Sequence, residues 1–493
     1  MESSKYQENI YNWVKEGQGN ALVQAVAGSG KTHTILECAK LIQSNKDCSF
    51  VAFNKSIANE LNTRLPPHIK ARTLHSYGLS ILYRNTKGLK IYNNKMDEII
   101  QRLLSKDEEM YDNAYDFRKD FYAIKRCVSK IKNTWIDYSK IENIMQVWEE
   151  NESNTPAERL VIYVRIALDE SKEDLSIVDF DDMIWLPVVH ELEGKEFDWV
   201  FVDEVQDLNK IQFELVKKMI GVDTRVVAVG DKSQSIYAFR GADVNSMENF
   251  KDYFDAKEMP LSICYRCPKK VIELAKTIVP EIEVFEEQIE GSIKEVGTEE
   301  ILMSAKKGDM ILCRTNAPLI KAVFSFIRRG IKASMVGNDI GKGLKNLVVA
   351  SRARDIKTLS EKLMRNKSKY KEKIAQIETQ FNLDRRERNR YFSELDKIET
   401  LEVFINESNS IQELYLNIDK IFEDRKDKGI VCSSIHKAKG LEADNVFLVN
   451  YIKMPHPMAK TDDDIQQEMN IKYVGITRSK KNLFLHMEEF EVV

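Results

Sequence analysis

The run AVAGSGKTHT (25–34) follows a short apolar stretch, ALVQAVA from Ala21 to Ala27, and leads into THTILECAKLIQ, where apolar residues recur at helical spacing. This order of strand, glycine-bearing loop and helix restricts the fold more than any other stretch of the chain. Gly28 and Gly30 allow successive backbone N–H groups to curl around an anion, and the amino end of the next helix adds the positive end of its dipole. Ala27, Gly28, Ser29, Gly30, Lys31, Thr32 and His33 are therefore candidate phosphate-binding residues. Lys31 suits the β- and γ-phosphates of ATP, and Thr32 suits the accompanying Mg²⁺. The strict pattern has glycine where Ala25 stands, and a small residue can still turn there.

A second stretch, FVDEVQDLN (201–209), ends an apolar run in a cluster of acids. Acidic side chains are seldom buried without a partner. Beside a phosphate loop the cluster acquires one, with Asp203 at the strand end as a metal ligand and Glu204 placed to activate water. Gln206 and Asp207 read as links from this site toward GDKSQSIYAFRGAD at 230–243.

Further short apolar runs occur at CSFVAF (48–53), FDWVFV (197–202), TRVVAVG (224–230), DMILCR (309–314), KGIVCSS (428–434) and DNVFLVN (444–450), separated by helical patterns. Such alternation predicts α/β structure with parallel sheets flanked by helices. Two charged, helical stretches interrupt it, at 86–155 and 350–425. The expected division is a first core at 1–85 and 156–262 and a second core at 263–349 and 426–493, each carrying one mainly helical insertion. Residues 351–400 contain 14 Lys/Arg against 9 Asp/Glu in a chain whose net charge is -4, so contact of that stretch with a polyanion stands beside a solvated helix face as a reading.

A length of 493 residues implies several packed units, and 43% apolar with 31% charged residues fits a soluble globular protein. The whole-chain charge gives no hint of nucleic-acid binding, although a local basic groove would be hidden in that sum. The opening MESSKYQENIYNWVKEG has no basic segment followed by an apolar one, and no run approaches the roughly 20 apolar residues that span a bilayer. A cytoplasmic protein without a membrane partner is expected. Seven scattered cysteines make no disulfide framework. Only Cys264 and Cys267 form a CxxC pair, without the second pair or nearby histidines that a structural metal would need.

The order of these motifs resembles the UvrD/Rep/PcrA group of superfamily 1 (SF1A) DNA helicases. Besides the phosphate loop and DEVQD, the likeness is carried by YQENIYNWV around Gln7, VAFNKSIANEL (51–61), ARTLHSYG (71–78), DFDDMI (179–184), GDKSQSIYAFRGAD, CYRCP (264–268), SSIHKAKGLE (433–442) and EMNIKYVGITRSKK (468–481). It covers most of both α/β regions, and it implies two RecA-like P-loop cores with ATP in the cleft between them.

By that resemblance Gln7 would read adenine, Tyr265 would stack on it, and Glu442 would lie near the ribose or the coupling interface. Gln234, Arg266 and Arg478 would contact the γ-phosphate and, with Lys31 and Glu204, form the catalytic set. Phe53, Asn54, His75, Tyr237, Phe239, Arg240, Ser434 and His436 would contact single-stranded DNA. Aromatic stacking there tolerates any sequence, because every base has a π-face. The family usually has tryptophan where Phe239 stands, and Phe53 is offset by one place from the usual aromatic.

The resemblance implies an ATP-dependent DNA helicase and translocase that moves 3′ to 5′ on single strands, engages single-strand/duplex junctions, and works beside replication or repair proteins. The second insertion is short, which predicts a reduced duplex-gripping module, and with 15 residues after Arg478 a fused nuclease is not expected. Two alternatives stay open: a translocase that displaces proteins with little unwinding, and a helicase stimulated by RNA.

Overall fold

The computed structural model describes residues 3–107, 109, 111, 114–152, 157–236, 245–379, 385–422, 429–457 and 459–490. The chain divides into two compact units, Met1–Ser262 and Ile263–Val493.

The strands of the first unit are β1 (Ala21–Ala25), β2 (Cys48–Val51), β3 (Ile69–Arg72), β4 (Lys90–Ile91), β5 (Ile177–Val178), β6 (Phe197–Val202), β7 (Ile220–Gly230) and β8 (Lys257–Leu261). Among the described residues, six of them form a parallel sheet in the order β3-β2-β6-β7-β1-β8, and β4 pairs with β5 separately. Val227 of β7 lies opposite both Ala21 of β1 and Phe201 of β6, so the carboxyl ends of these three strands sit side by side.

Neighbouring residues of each strand feed opposite faces. Leu22, Val200, Val226 and Ala228 enter one hydrophobic cluster, and Val23, Phe201, Val227 and Val229 enter another. Burial on both faces explains why the central strands read as continuous apolar runs. The first cluster continues through Ile100, Ile124, Val128, Trp148 and Leu168, which lie on the helices Lys95–Ser105, Ala114–Thr134, Ile141–Glu152 and Glu158–Glu173. The three helices of the first insertion, with Glu158–Glu173 beside them, therefore share a core with the sheet.

The second unit contains β9 (Ile263–Cys264), β10 (Glu283–Val284), β11 (Ser292–Val296), β12 (Met310–Cys313), β13 (Ala333–Met335), β14 (Ile430–Ser434), β15 (Ala443–Leu448) and β16 (Ser479–His486). Its parallel sheet runs β11-β16-β15-β12-β14-β13. Ile311, Ile430, Cys432 and Phe447 from the strands share one cluster with Leu344, Leu359, Ile398, Phe404 and Ile418 from the helices Asn338–Ser351, Ile356–Glu378, Arg385–Asn406 and Ile411–Phe422.

The strands that the apolar runs did not reveal are mostly at sheet edges. β3 and β8 close the first sheet, while β11 and β13 close the second. Sequences such as IKAR, KEMPL and SIKEV carry charge or proline because one side of an edge strand meets solvent. Among the described residues, no helix is long and apolar enough to cross a membrane, and no group of His, Cys, Asp or Glu is arranged to hold a metal ion by protein ligands alone.

Candidate functional site

β1 ends at Ala25, still extended, so the absence of glycine there costs the loop nothing. Left-handed backbone is confined to Gly28 (φ 69°) and Gly30 (φ 80°), immediately before the helix Lys31–Lys40. A side chain is strained at such angles, which is why glycine occupies these positions. The buried Ser29 hydroxyl donates to the Val26 carbonyl at 2.8 Å and braces the loop.

Asp203 leaves the carboxyl end of β6. Its Oδ2 accepts from the Thr32 hydroxyl at 2.8 Å, and its Oδ1 accepts from the Glu204 backbone N–H at 2.9 Å. Lys31 Nζ stands 3.8 Å from Glu204 Oε1. Burial, then the Glu204 charge, pushes the Asp203 carboxyl up to about 7, against the Thr32 hydrogen bond and Lys31. A buried acid with a hydroxyl beside it and a second acid adjacent is a donor set suited to a hard divalent cation, which favours oxygen ligands. Glu204 itself is held at φ 53°, ψ 44°, a conformation costly for a residue with a side chain, and it turns the chain sharply into Val205–Asp207.

Gln206 joins this site to the end of β7. Its Nε2 donates to Glu204 Oε2, while its Oε1 accepts from the Asp231 N–H at 3.0 Å. The Asp231 carboxylate in turn accepts from the Ser233 N–H at 3.0 Å and from Gln234 Nε2 at 2.6 Å. Gly230 leaves room for this bridge, since a Cβ there would fall 2.6 Å from Gln206 Oε1. Glu204 and Gln234 are thus linked by two intervening residues, the Gln206 side chain and Asp231, which uses both its N–H and its carboxylate.

Gln7 stands next to the phosphate loop and also shapes its own helix. Its side chain and that of Ser4 form a reciprocal cap, and its Nε2 donates to Thr34 Oγ1 at 3.2 Å. Asn54 likewise caps the helix Lys55–Arg64 by accepting from the Ile57 N–H at 2.9 Å. Phe53 is half exposed at the end of β2, and His33 is exposed. Tyr237, Phe239 and Arg240 lie outside the described residues.

His75 follows β3 and stacks on Phe180, with ring centroids 3.8 Å apart and planes 22° apart. Burial brings the His75 imidazole down to about 4, although Asp181 pulls the other way, so the ring is neutral near pH 7. Gly78 makes this pairing feasible, because a Cβ there would come within 1.9 Å of the Met183 carbonyl oxygen and hold the two segments apart.

The turn bearing Phe180 is anchored from below. Asp182 is fully buried and accepts from Lys95 Nζ at 2.8 Å and Lys132 Nζ at 2.6 Å, while Ser129 donates to Asp181 at 2.8 Å. The motif DFDDMI was legible in the sequence, but Phe180 and its lysine anchors were not assigned. An aromatic residue between acids was the available signal for Phe180. Lys95 and Lys132 lie in the insertion and gave none.

In the second unit, Arg266 Nε pairs with Glu442 Oε2 at 2.6 Å. Tyr265 packs against Phe285 with centroids 5.0 Å apart, and its carbonyl accepts from Gln288. Arg478 is buried, and its guanidinium donates to the carbonyls of Val474 and Leu441 at 2.9 and 3.3 Å. Tyr265, Arg266, Glu442 and Arg478 therefore gather in one region, at the amino ends of β15 and β16. Ser434 and His436 lie at the other end of the sheet, where β14 finishes.

Comparison with known proteins was made against this geometry. Residues 6–255 match the UvrD/REP helicase N-terminal domain, and residues 348–489 match the UvrD-like helicase C-terminal domain. The chain is 24% identical over 603 positions to the ATP-dependent DNA helicase PcrA of Staphylococcus epidermidis, with 96% of this chain and 82% of that protein covered. It is 28% identical over 297 positions to the ATP-dependent DNA helicase Rep of Buchnera aphidicola, covering 55% and 44% respectively. The first of these matches spans half of the sequence, and the chain belongs to the UvrD/REP helicase family.

Proposed function

We propose that the protein hydrolyses ATP to move along single-stranded DNA in the 3′ to 5′ direction and to separate strands at single-strand/duplex junctions. The observation that carries this reading is the side-by-side placement of Lys31 and Thr32, Asp203 and Glu204, and Asp231 and Gln234 at the ends of three adjacent strands, with Gln206 spanning the last two groups. Ligands bind at the carboxyl ends of strands in sheets of this kind.

The phosphate loop and Lys31 hold the triphosphate, and Thr32 and Asp203 would hold Mg²⁺, which would supply neutralisation of phosphate charge. Glu204 orients the attacking water and accepts its proton. Gln234 senses the phosphate end through the same hydrogen-bonded group. In the second unit Tyr265 stacks on adenine, and Arg266 and Arg478 neutralise phosphoryl charge with a planar cation that does not titrate. Gln7 reads adenine, and Glu442 holds Arg266 in place. His75 with Phe180, Phe53, Asn54, Ser434 and His436 contact the strand, where stacking gives grip without sequence preference.

Lys31→Ala and Glu204→Gln should each abolish DNA-stimulated ATP hydrolysis, and full activity in either sinks the assignment. Duplexes with 3′ or 5′ tails test unwinding and direction together, and parallel assays with RNA strands test the substrate. One observation favours a second reading. The helices between 338 and 422 pack into the core of their own unit, which suits a compact translocase that strips proteins from DNA with little unwinding. A protein-displacement assay run beside strand separation discriminates the two.

A further inference from the structure

Cys264 and Cys267 bracket Tyr265 and Arg266, two residues for which nucleotide contact is proposed. The Cys267 N–H donates to Cys264 Sγ at 3.4 Å. Cys267 Sγ in turn donates to the carbonyl of Thr477, the residue before Arg478, at 3.5 Å. The pair precedes Pro268 and the helix Lys269–Lys276, so both sulfurs lie near a helix amino end as well as near Arg266.

The environment separates these thiols from the others. Burial pushes Cys38 and Cys48 up to about 12 and Cys313 up to about 11, which leaves them as inert core residues. The adjacent Cys267, aided by backbone N–H groups and Arg266, brings Cys264 down to about 7, while its neighbour Cys264 and burial raise Cys267 well above the ordinary thiol value. One sulfur is thus prepared as a thiolate and the other as its proton-bearing partner. This is the division of labour that disulfide chemistry requires.

We propose that Cys264 and Cys267 form a reversible intrachain disulfide that switches off the turn carrying Tyr265 and Arg266. The oxidant is a small hydroperoxide, since both thiols are buried. The Cys264 thiolate attacks the peroxide, forming an S–O bond as the O–O bond breaks, and the departing alkoxide or hydroxide takes up a proton. The Cys267 sulfur then attacks the sulfenic sulfur, forming the S–S bond, and the hydroxyl leaves with the Cys267 proton as water. Two electrons pass from the thiols to the peroxide, and a dithiol returns them.

The consequence follows from covalent structure. A disulfide sulfur has no proton, so the bond from Cys267 to the Thr477 carbonyl is lost, and with it the direct tie between this turn and the segment that carries Arg478. Tyr265 and Arg266 become enclosed in a small ring. The effect on ATP turnover rests on the reading that these residues contact nucleotide.

The test treats the full-length chain with hydrogen peroxide, maps disulfides by mass spectrometry of peptides, and follows DNA-stimulated ATP hydrolysis. The expected result is a Cys264–Cys267 disulfide with a fall in turnover of about tenfold or more, restored by dithiothreitol, given what arginine contacts to a γ-phosphate contribute. Cys264→Ser and Cys267→Ser should keep turnover and resist the oxidant. Absence of that disulfide in the folded, oxidised chain overturns the site. A disulfide with unchanged turnover overturns the switch. Undiminished hydrolysis in Arg266→Ala overturns the nucleotide reading beneath the switch, while the mapped disulfide is judged independently of it.

Discussion

The Thr32 hydroxyl and Asp203 Oδ2 are 2.8 Å apart, and this bond ties the first turn after the phosphate loop to the end of β6. The two residues are separated by 171 positions in the chain, yet β7 alone lies between their strands. The acid is buried and has a second acid beside it, so its environment in the free protein opposes ionisation. That opposition makes the site measurable.

Asp203 has a folded value of about 7 against an ordinary 3.8. A raised value means that its contribution to stability is fully present below pH 4 and is lost as pH rises through 7. Asp203→Asn should therefore melt higher than the parent at pH 8 without nucleotide or Mg²⁺, with the difference shrinking by pH 5, while ATP hydrolysis disappears. Thermal melts at the two pH values check this, and a variant less stable at pH 8 than at pH 5 relative to the parent contradicts it.

Gln206→Ala removes the bridge between Glu204 and Asp231 and leaves the buried Asp231 N–H without that acceptor. Losing one such partner costs about 1–3 kcal/mol. The expected effect is a drop of about ten- to a hundredfold in the kcat reached with saturating single-stranded DNA. Hydrolysis without DNA should fall less. Equal loss in both conditions would show that Gln206 serves the hydrolytic group alone.

His75 is shifted the other way, from 6.5 down to about 4, chiefly by burial. Its contribution to stability is present above pH 6.5 and is lost as pH falls toward 4. The parent should lose more unfolding free energy than His75→Phe between pH 7 and 4.5. Binding of single-stranded DNA should change little with pH between 5.5 and 8 on account of this ring. Denaturant titrations and fluorescence anisotropy measure the two quantities.

Asp182→Ala takes from the buried Lys95 and Lys132 the carboxylate they share, leaving only Asp179, 3.9 Å from Lys132, beside them. Breaking a buried ion pair in this way costs about 3–5 kcal/mol. Urea unfolding should show this loss in the first unit, and it should change little with salt, because buried charges are poorly screened. Restoration of stability by high salt would place the cluster nearer to solvent than the structure does.

The parallel α/β organisation was legible because the central strands are covered on both faces and so appear as apolar runs. The phosphate loop and the acid cluster were legible for a different reason. Each is a contiguous segment whose local geometry, left-handed glycines in one and a strand end in the other, produces its chemistry. Edge strands such as KEMPL escaped notice because solvent on one side dilutes the apolar signal.

The sequence by itself determined the local form of the loop before the helix Lys31–Lys40, since Gly28, Gly30, Lys31 and Thr32 lie in one short stretch of chain. It also determined the family, through the order of motifs. Only the tertiary structure decided what Gln206 touches, that His75 rests on Phe180, that Lys95 and Lys132 converge on Asp182, and that Cys267 reaches Thr477. Each of these contacts joins segments that lie apart in the chain, and their partners are fixed by strand order and packing, which no local pattern of residues encodes.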